Sequence, residues 1–591
     1  MQKKRNSSFS LVAMLAVLLA GIPGAPNVFS QYAPGGNVLK GTVKSSDGKP
    51  MEGATVSMRG EGKTFTTTVF TERDGTFVSP QLEKNKYQIW AQAVGFEMAK
   101  SDVQITDQPG QVALALKPLQ DYHKQLSAQE WMASLPESDP RDLRMKSVLM
   151  NNCTGCHYVG RILQNRFDSA GWAAMIKFMQ RSGTNGVYTP SANPNPMMVA
   201  YQEELAGFLA KARGPASSPP TPKLLPRPTG DAAKVVITEY DLPRNDVSST
   251  ILKHDGTDWS EGFSSRWASR APHDIWVGLD GNIYWADDMV PEQTVGKLDP
   301  RTGKVTTYKL PDKDGHAVST HSIVVDHQGN MWLTNQTEGT HLMFNPKTET
   351  FTRFPRPDSV PQRVGGTNAV DSKGNPWATT ADGAIKLDVA TGKYTFYKAI
   401  RPGATYGITV DSEDKTWVTF PGLDTLMVVD TAGNISEVVL PPLKSDLAND
   451  KDREVMASQR LSANSATPLQ KGPRRMWADP KGNYVWVAEY FADQLARIDI
   501  HTKEVKEYPL PHRWSQPYAL NVDKNHNVWV NMLNRDAIAK FDPKTERFTE
   551  YQLPTRGTEI RHIVPDNSSE PPTIWVPYDG VLKIARLQLI K

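Results

Sequence analysis

The chain has 591 residues, and at one domain per ~150 residues that length calls for about four folding units rather than one hydrophobic core. Hydrophobic residues at 39% and charged residues at 22% fit soluble globular folding and exclude both a polytopic membrane protein and a wholly disordered chain. Lys plus Arg total 67 against 64 acidic residues, a net charge of +3, with no long basic cluster, so nothing points to nucleic acid.

The N-terminus places Lys3, Lys4 and Arg5 before an apolar run from Leu11 to Ile22, which Pro23 ends and small residues follow up to Ser30. This is the pattern of a secretory signal peptide over residues 1–30. The apolar run is well short of the ~20 residues that cross a bilayer. The expectation is a periplasmic or secreted protein with no membrane span after cleavage.

Residues 37–119 alternate apolar and polar side chains between turn signals, as in Tyr87-Gln88-Ile89-Trp90-Ala91, which predicts a small β-sandwich. Gly41-Thr42-Val43, the turn Asp47-Gly48-Lys49-Pro50, Gly53-Ala54-Thr55-Val56 and Asp74-Gly75-Thr76-Phe77 resemble the carboxypeptidase regulatory-like (transthyretin-like) domains. These motifs encode turns and core positions, so the resemblance implies a fold and a spacer or binding role rather than chemistry.

An exported chain of this size has scope for disulfides, yet it holds two cysteines, Cys153 and Cys156. With His157 they form Cys-Thr-Gly-Cys-His, the pattern of covalent haem c attachment. Two thiols three positions apart can each reach one vinyl group of a porphyrin, and the next imidazole can meet the iron. A redox dithiol or half a zinc site are the competing readings. Zinc wants two further ligands nearby, and a thioredoxin-like site wants a βαβ setting.

Residues 121–213 instead carry helical periodicity. Ser127-Ala128-Gln129-Glu130 has capping-box spacing, and Ala170–Arg181 and Val199–Ala212 read as amphipathic helices. The expectation is a small all-α haem domain, which resembles the single-haem class I cytochromes c. Met175, Met179, Met197 and Met198 are the candidate distal ligands. Met179 is favoured because Trp172 to Met179 resembles the Trp-then-Met helix of small cytochrome subunits of periplasmic dehydrogenases. Residues 214–230 contain six prolines and few apolar side chains, and read as a linker.

From 235 to 591 the sequence repeats at intervals near 45 residues. The aligned aromatics are Tyr284, Trp332, Trp377, Trp417, Trp486, Trp529 and Trp575, and the one long gap implies an insertion between Pro442 and Gly472. The chain ends after the third strand of the seventh repeat. Ile237-Thr238-Glu239-Tyr240-Asp241-Leu242-Pro243 matches Phe548-Thr549-Glu550-Tyr551-Gln552-Leu553-Pro554 and supplies the missing fourth strand. A displaced strand that closes the last sheet predicts a seven-bladed β-propeller, not an open solenoid. The fold class expected is therefore multidomain and mainly β: sandwich, small α domain, propeller.

In each blade the first two strands form a hairpin, so residues equidistant from its turn should be neighbours. His273 with Asp287, His321 with Asn335, and Arg475 with Glu489 are such pairs, and Tyr406, Tyr518 and His562 occupy the matching first-strand position. Closure makes blade 7 a neighbour of blade 1, which puts His562, His273 and His321 side by side on one rim. Three imidazoles and an acid can bind a metal or move protons; they can equally line a wet channel.

The blade pattern His-x-Ile, Asp-Gly-Asn, aromatic, Asp-Pro-x-Thr-Gly, Tyr-x-Leu-Pro resembles the streptogramin (virginiamycin B) lyase propellers. The resemblance implies two His from adjacent blades and a Glu fourteen residues after the second, around a Mg ion that assists β-elimination of a lactone ester. His562, His273 and Asp287 reproduce the spacing with Asp in place of Glu; the frame of His273, His321 and Asn335 lacks the acid. The leading functional expectation is a haem c-dependent oxidoreductase or electron carrier that meets a redox partner protein or a small-molecule donor. The alternatives are a metal-dependent lyase and a non-catalytic binding protein.

Overall fold

The computed structural model describes residues 37–155, 158–181, 194–243, 255–262, 272–288, 293–311, 318–360, 364–443, 447–458 and 465–590. The signal peptide and the residues Cys156 and His157 lie outside this set.

Seven strands between Leu39 and Leu116 make the two sheets of the sandwich. Their inward residues, among them Val43, Val56, Ile89 and Leu114, close a core of their own. The turn at Gly75 needs glycine, because φ is +78° and a Cβ there would stand 2.5 Å from the Val43 carbonyl.

Helices α1 (Ala128–Ser134), α2 (Pro140–Cys153), α3 (Val159–Leu163), α4 (Ser169–Met179) and α5 (Pro196–Arg213) follow. The capping box foreseen at Ser127 is present, with Glu130 N–H on Ser127 Oγ at 3.2 Å and Ser127 N–H on Glu130 Oε2 at 2.8 Å. Asp139 caps α2 ahead of Pro140, and Asp168 caps α4. Trp131, Leu149, Trp172, Tyr201 and Leu205 are buried together in the helical core.

Among the described residues, seven blades of four strands follow in a ring. Six are contiguous in sequence, from Pro272–Lys309 (blade 1) to Pro517–Gln552 (blade 6). Blade 7 has three strands between Val564 and Leu589 and takes its fourth, Val235–Asp241, from before blade 1. Blade 7 also touches the first strand of blade 1, so the ring is closed. The repeat spacing has a local cause. In blades 2, 3, 4 and 6 the turn aspartate accepts the indole N–H of the tryptophan six residues on: Asp326 from Trp332, Asp371 from Trp377, Asp411 from Trp417 and Asp523 from Trp529, at 2.8–3.3 Å. Each link pins a hairpin and leaves a large aromatic between blades.

The closing strand Val235–Asp241 has a second partner. Its other edge pairs antiparallel with Phe65–Phe70 of the sandwich, so blade 7 and one sandwich sheet form a single eight-stranded sheet. The Pro-rich segment is also fixed: Lys223 N–H bonds Ser134 Oγ and Leu225 N–H bonds Glu130 Oε1. The blade 4–5 insertion carries α6 (Asp450–Ser458), which meets the helical domain. Arg144 donates to both oxygens of Asp452 at 2.8 and 2.7 Å, and Tyr201 O–H reaches Asp452 at 2.7 Å.

Both members of that ion pair are buried, so removing one strands the other charge. Arg144→Ala is expected to cost about 3–5 kcal/mol by denaturant titration. Arg141→Ala, on the exposed face of α2, should stay within about 0.5 kcal/mol.

Candidate functional site

The first strands of three blades begin with an irregularity. Asp287 pairs with Pro272 and Ala286 with Asp274, which leaves His273 as the extra residue of a bulge. Register shifts of the same kind occur at Arg474-Arg475 and at Tyr518-Ala519. Bulges of this type re-aim side chains, and here they direct them into the ring.

The bulge changes which acid faces the histidines. Asp287, expected beside His273, instead accepts Trp285 Nε1–H at 3.0 Å and Thr294 Oγ1–H at 2.7 Å. The acid that joins His273 and His321 is Asp288, whose Oδ2 lies 3.9 Å from His273 Nε2 and 4.0 Å from His321 Nε2. One ligand atom from each of the three lies within 4.8 Å of the others, and all three residues are buried. An ion bonded at ~2.1 Å to such donors sets them about 3.4 Å apart, so slight closure of the cluster would hold one.

His273 is oriented for this. Its Nδ1 meets Asp274 Oδ1 at 2.9 Å, which places the ring proton on Nδ1 and leaves Nε2 bare, with no hydrogen-bond partner. Asp274 is in turn held by Arg475 Nη1 at 2.8 Å. Burial by itself raises an acid's pKa, but Arg475 and the neighbouring imidazoles outweigh it and keep the Asp274 carboxyl well below its usual range. Burial pushes His273 down to about 3 and His321 down as well, so both rings are neutral and able to ligate.

The other expected residues lie elsewhere. His562 bonds the Ile275 backbone and packs 6.0 Å from Trp276, near Asp274 but outside the cluster. Asn335 binds Glu338, and Glu489 binds Gln494 with Lys471 nearby rather than Arg475. Tyr406 and Tyr518 do meet, hydroxyl to hydroxyl.

The segment around Cys153 is seated on this same rim. Cys153 ends α2 and is half-buried. Thr154 O–H reaches Gln516 Oε1 at 2.7 Å, and Gln516 donates to the Met150 carbonyl. Arg561 donates to the Gly155 carbonyl at 3.4 Å. Tyr158 O–H reaches Asp536 at 2.6 Å and accepts Glu559 N–H at 3.1 Å. Gln516, Asp536 and Glu559 all have φ between 45° and 52°, so left-handed backbone is maintained where blades 6 and 7 receive this turn. Met179, the last residue of α4, packs on the helical core; Met175 is exposed; Met197 and Met198 are buried in the first turn of α5.

A cavity of about 600 Å³ opens elsewhere, where the sandwich, α1, the Pro-rich segment and blade 6 meet. Arg535 and Glu550 in its wall are already paired at 2.6 Å, and among the described residues no histidine or cysteine lines it. The titratable cluster therefore marks the channel, not this cavity, as the candidate site.

The carboxypeptidase regulatory-like domain family matches residues 38–117. No curated protein matches the chain. Among solved structures it is similar to a streptogramin B lyase, with 21% identity over 55% of this chain and 94% of that one and a TM-score of 0.44. It is also similar to virginiamycin B lyase from Staphylococcus aureus, at 18% identity over 60% of this chain and all of that one, TM-score 0.44. The extracellular domain of a hybrid two-component system from B. thetaiotaomicron follows at 16% identity over 54% of this chain and 40% of that one, TM-score 0.39. The chain thus carries a carboxypeptidase regulatory-like domain and a propeller whose blades are established by their own strand pairing.

The buried, neutral His562 has a pH signature. Burial lowers its folded pKa to about 4 from 6.5, so the unfolded chain takes up the proton first as pH falls. Its contribution is intact above pH 6.5 and drains away toward pH 4, at up to ~1.4 kcal/mol per pH unit. His562→Leu should flatten the acid limb of a stability–pH curve over that window, measured by urea unfolding.

Proposed function

We propose that the protein is an exported c-type haem protein that performs electron transfer or oxidoreduction, with the propeller channel as its substrate or partner site. The observation that carries this reading is the position of Cys153–Gly155, the start of the Cys-x-x-Cys-His motif. Its Gly155 carbonyl accepts from Arg561, and Arg561 belongs to the same buried charge network as the channel.

The donors suit haem c. Cys153 closes α2, Cys156 and His157 follow in sequence, and thioethers stand on α4 and α5, which pack together. Trp172 is buried in the same core with an indole N–H that finds no acceptor, a donor suited to a polar edge of a bound group. Cys153 and Cys156 would hold the porphyrin, and His157 and Met179 would flank its iron. The bound group supplies one-electron chemistry at a potential set by its axial ligands and surroundings. The chain's part is to anchor Thr154 to Gln516 and Tyr158 to Asp536, and so to hold the start of the motif against the ring.

Produced in a host competent in haem ligation, the protein should be coloured, show the spectrum of a thioether-linked haem, and have Cys153 and Cys156 closed to alkylation. Colourless protein with two alkylated thiols would contradict the reading.

A second reading rests on Asp274, which fixes His273 in the metal-ligating tautomer: His273, Asp288 and His321 bind a divalent cation such as Mg, as a metal-assisted lyase or hydrolase would need. Excess divalent cation should then raise the melting temperature of the wild type and of Asp287→Asn, but not of Asp288→Asn. An equal rise in all three would rule the cluster out.

A further inference from the structure

Three guanidinium groups converge on one phenol. Arg474 lies 4.3 Å, Arg561 5.3 Å and Arg475 5.5 Å from the centre of the Tyr518 ring, and all four side chains are buried. Like charges so close in a medium of low polarity repel strongly unless anions stand among them. Arg475 has Asp274 at 2.8 Å, and Arg561 has Asp579 at 2.9 Å and Glu559 at 3.6 Å. Arg474 packs on three phenols: Tyr406 at 4.3 Å, Tyr490 at 4.6 Å, and Tyr518, which also hydrogen-bonds it. The Tyr518 hydroxyl shares one hydrogen bond with the Tyr406 hydroxyl. Two phenols joined by a hydrogen bond, with one guanidinium over both rings and two more over Tyr518, form an arrangement in which Tyr518 can ionise and Tyr406 donate to it.

We propose that Tyr518 is the member of the pair that ionises, that Tyr406 donates to it, and that the pair is the proton acceptor of the channel. A substrate X–H bond would break with its electron pair left on X, while the proton forms an O–H bond at Tyr518 Oη. Every packed element contributes to the balance. Blade 4 supplies Tyr406, blade 5 Arg474, Arg475 and Tyr490, and blade 7 Arg561. Blade 1 contributes Asp274 and His273 behind Arg475, and blade 2 puts His321 edge-on to Tyr406 at 6.0 Å. The resulting ionisation has the expected direction: burial acts to raise the Tyr518 phenol, but Arg474, Arg561 and Arg475 outweigh it and bring it down to about 7. Tyr406 is pushed up, by burial first and by Tyr518 second.

Arg561 touches both the Tyr518 ring and the Gly155 carbonyl, so the phenolate stands one guanidinium from the attachment turn. This link, unlike the ionisation itself, rests on the haem reading above. An electron leaving the haem would favour loss of the phenol proton, and an electron arriving would favour its uptake.

The test is an ultraviolet titration of the full chain. One phenolate band should grow with a midpoint near pH 7 in the wild type, be absent in Tyr518→Phe, and move upward by more than one pH unit in Arg474→Gln. Ordinary tyrosines ionise near pH 10. A wild type with no step below about pH 9, or a neutral step retained in Tyr518→Phe, overturns the proposal. Stability gives an independent check. A phenol with a lowered folded pKa stabilises fully above pH 10, and the benefit is lost as pH falls to about 7. The melting-temperature advantage of the wild type over Tyr518→Phe should therefore widen from pH 7 to 9; a constant difference contradicts it. The haem potential should fall with rising pH across neutrality in the wild type and level off in Tyr518→Phe, and an unchanged slope removes the link. Colourless protein that keeps the phenol step would defeat the haem reading and leave the phenolate standing.

Discussion

The contact on which the arrangement depends is the seat of Thr154, Gly155 and Tyr158 against blades 6 and 7. Tyr158 buries a hydroxyl that must find partners, and it finds Asp536, the Leu533 carbonyl and the Glu559 amide. Gln516 meets Thr154 and the Met150 carbonyl in the same way. Hydrogen bonds of this kind are individually modest, but each would leave a desolvated polar group behind if the domains parted. The helical domain is thereby fixed in one orientation, with the end of α2 against the ring.

Two further constraints make the assembly stiff. The strand Val235–Asp241 is at once the last strand of blade 7 and the neighbour of the sandwich strand Phe65–Phe70. An edge that would otherwise invite association is covered on both sides. The insertion between blades 4 and 5 is held to α2 and α5 by Asp452, Arg144 and Tyr201. The sandwich, helices and ring are therefore joined by sheet hydrogen bonds and a buried ion pair as well as by the chain.

Much of this was legible in the sequence because it is periodic. The turn aspartate and the tryptophan six residues later recur because each pair makes one hydrogen bond in one hairpin, and the strand before blade 1 was recognisable from its likeness to the blade 6 strand it imitates. The capping box at Ser127 and the insertion after Pro442 were readable for similar reasons. The site was less so. Counting equal distances from a turn assumes an unbroken ladder, and the bulge at His273 breaks it, turning Asp287 toward Trp285 and giving Asp288 the place beside the histidines. Arg474 and Arg561 carry no local signal; only the bulge in blade 5 and the ring closure bring them to Tyr518. The shared sheet is a tertiary fact that neither strand's pattern encodes.

In the proposed function, a haem on the Cys-x-x-Cys-His motif would feel the channel through Arg561. An anaerobic redox titration of the haem band in Arg561→Gln, beside the wild type, addresses it directly. Removing a buried positive charge from the attachment turn favours the oxidised iron, so the variant's midpoint potential should lie lower. Equal potentials in the two proteins, with the haem still bound in both, would contradict the claim.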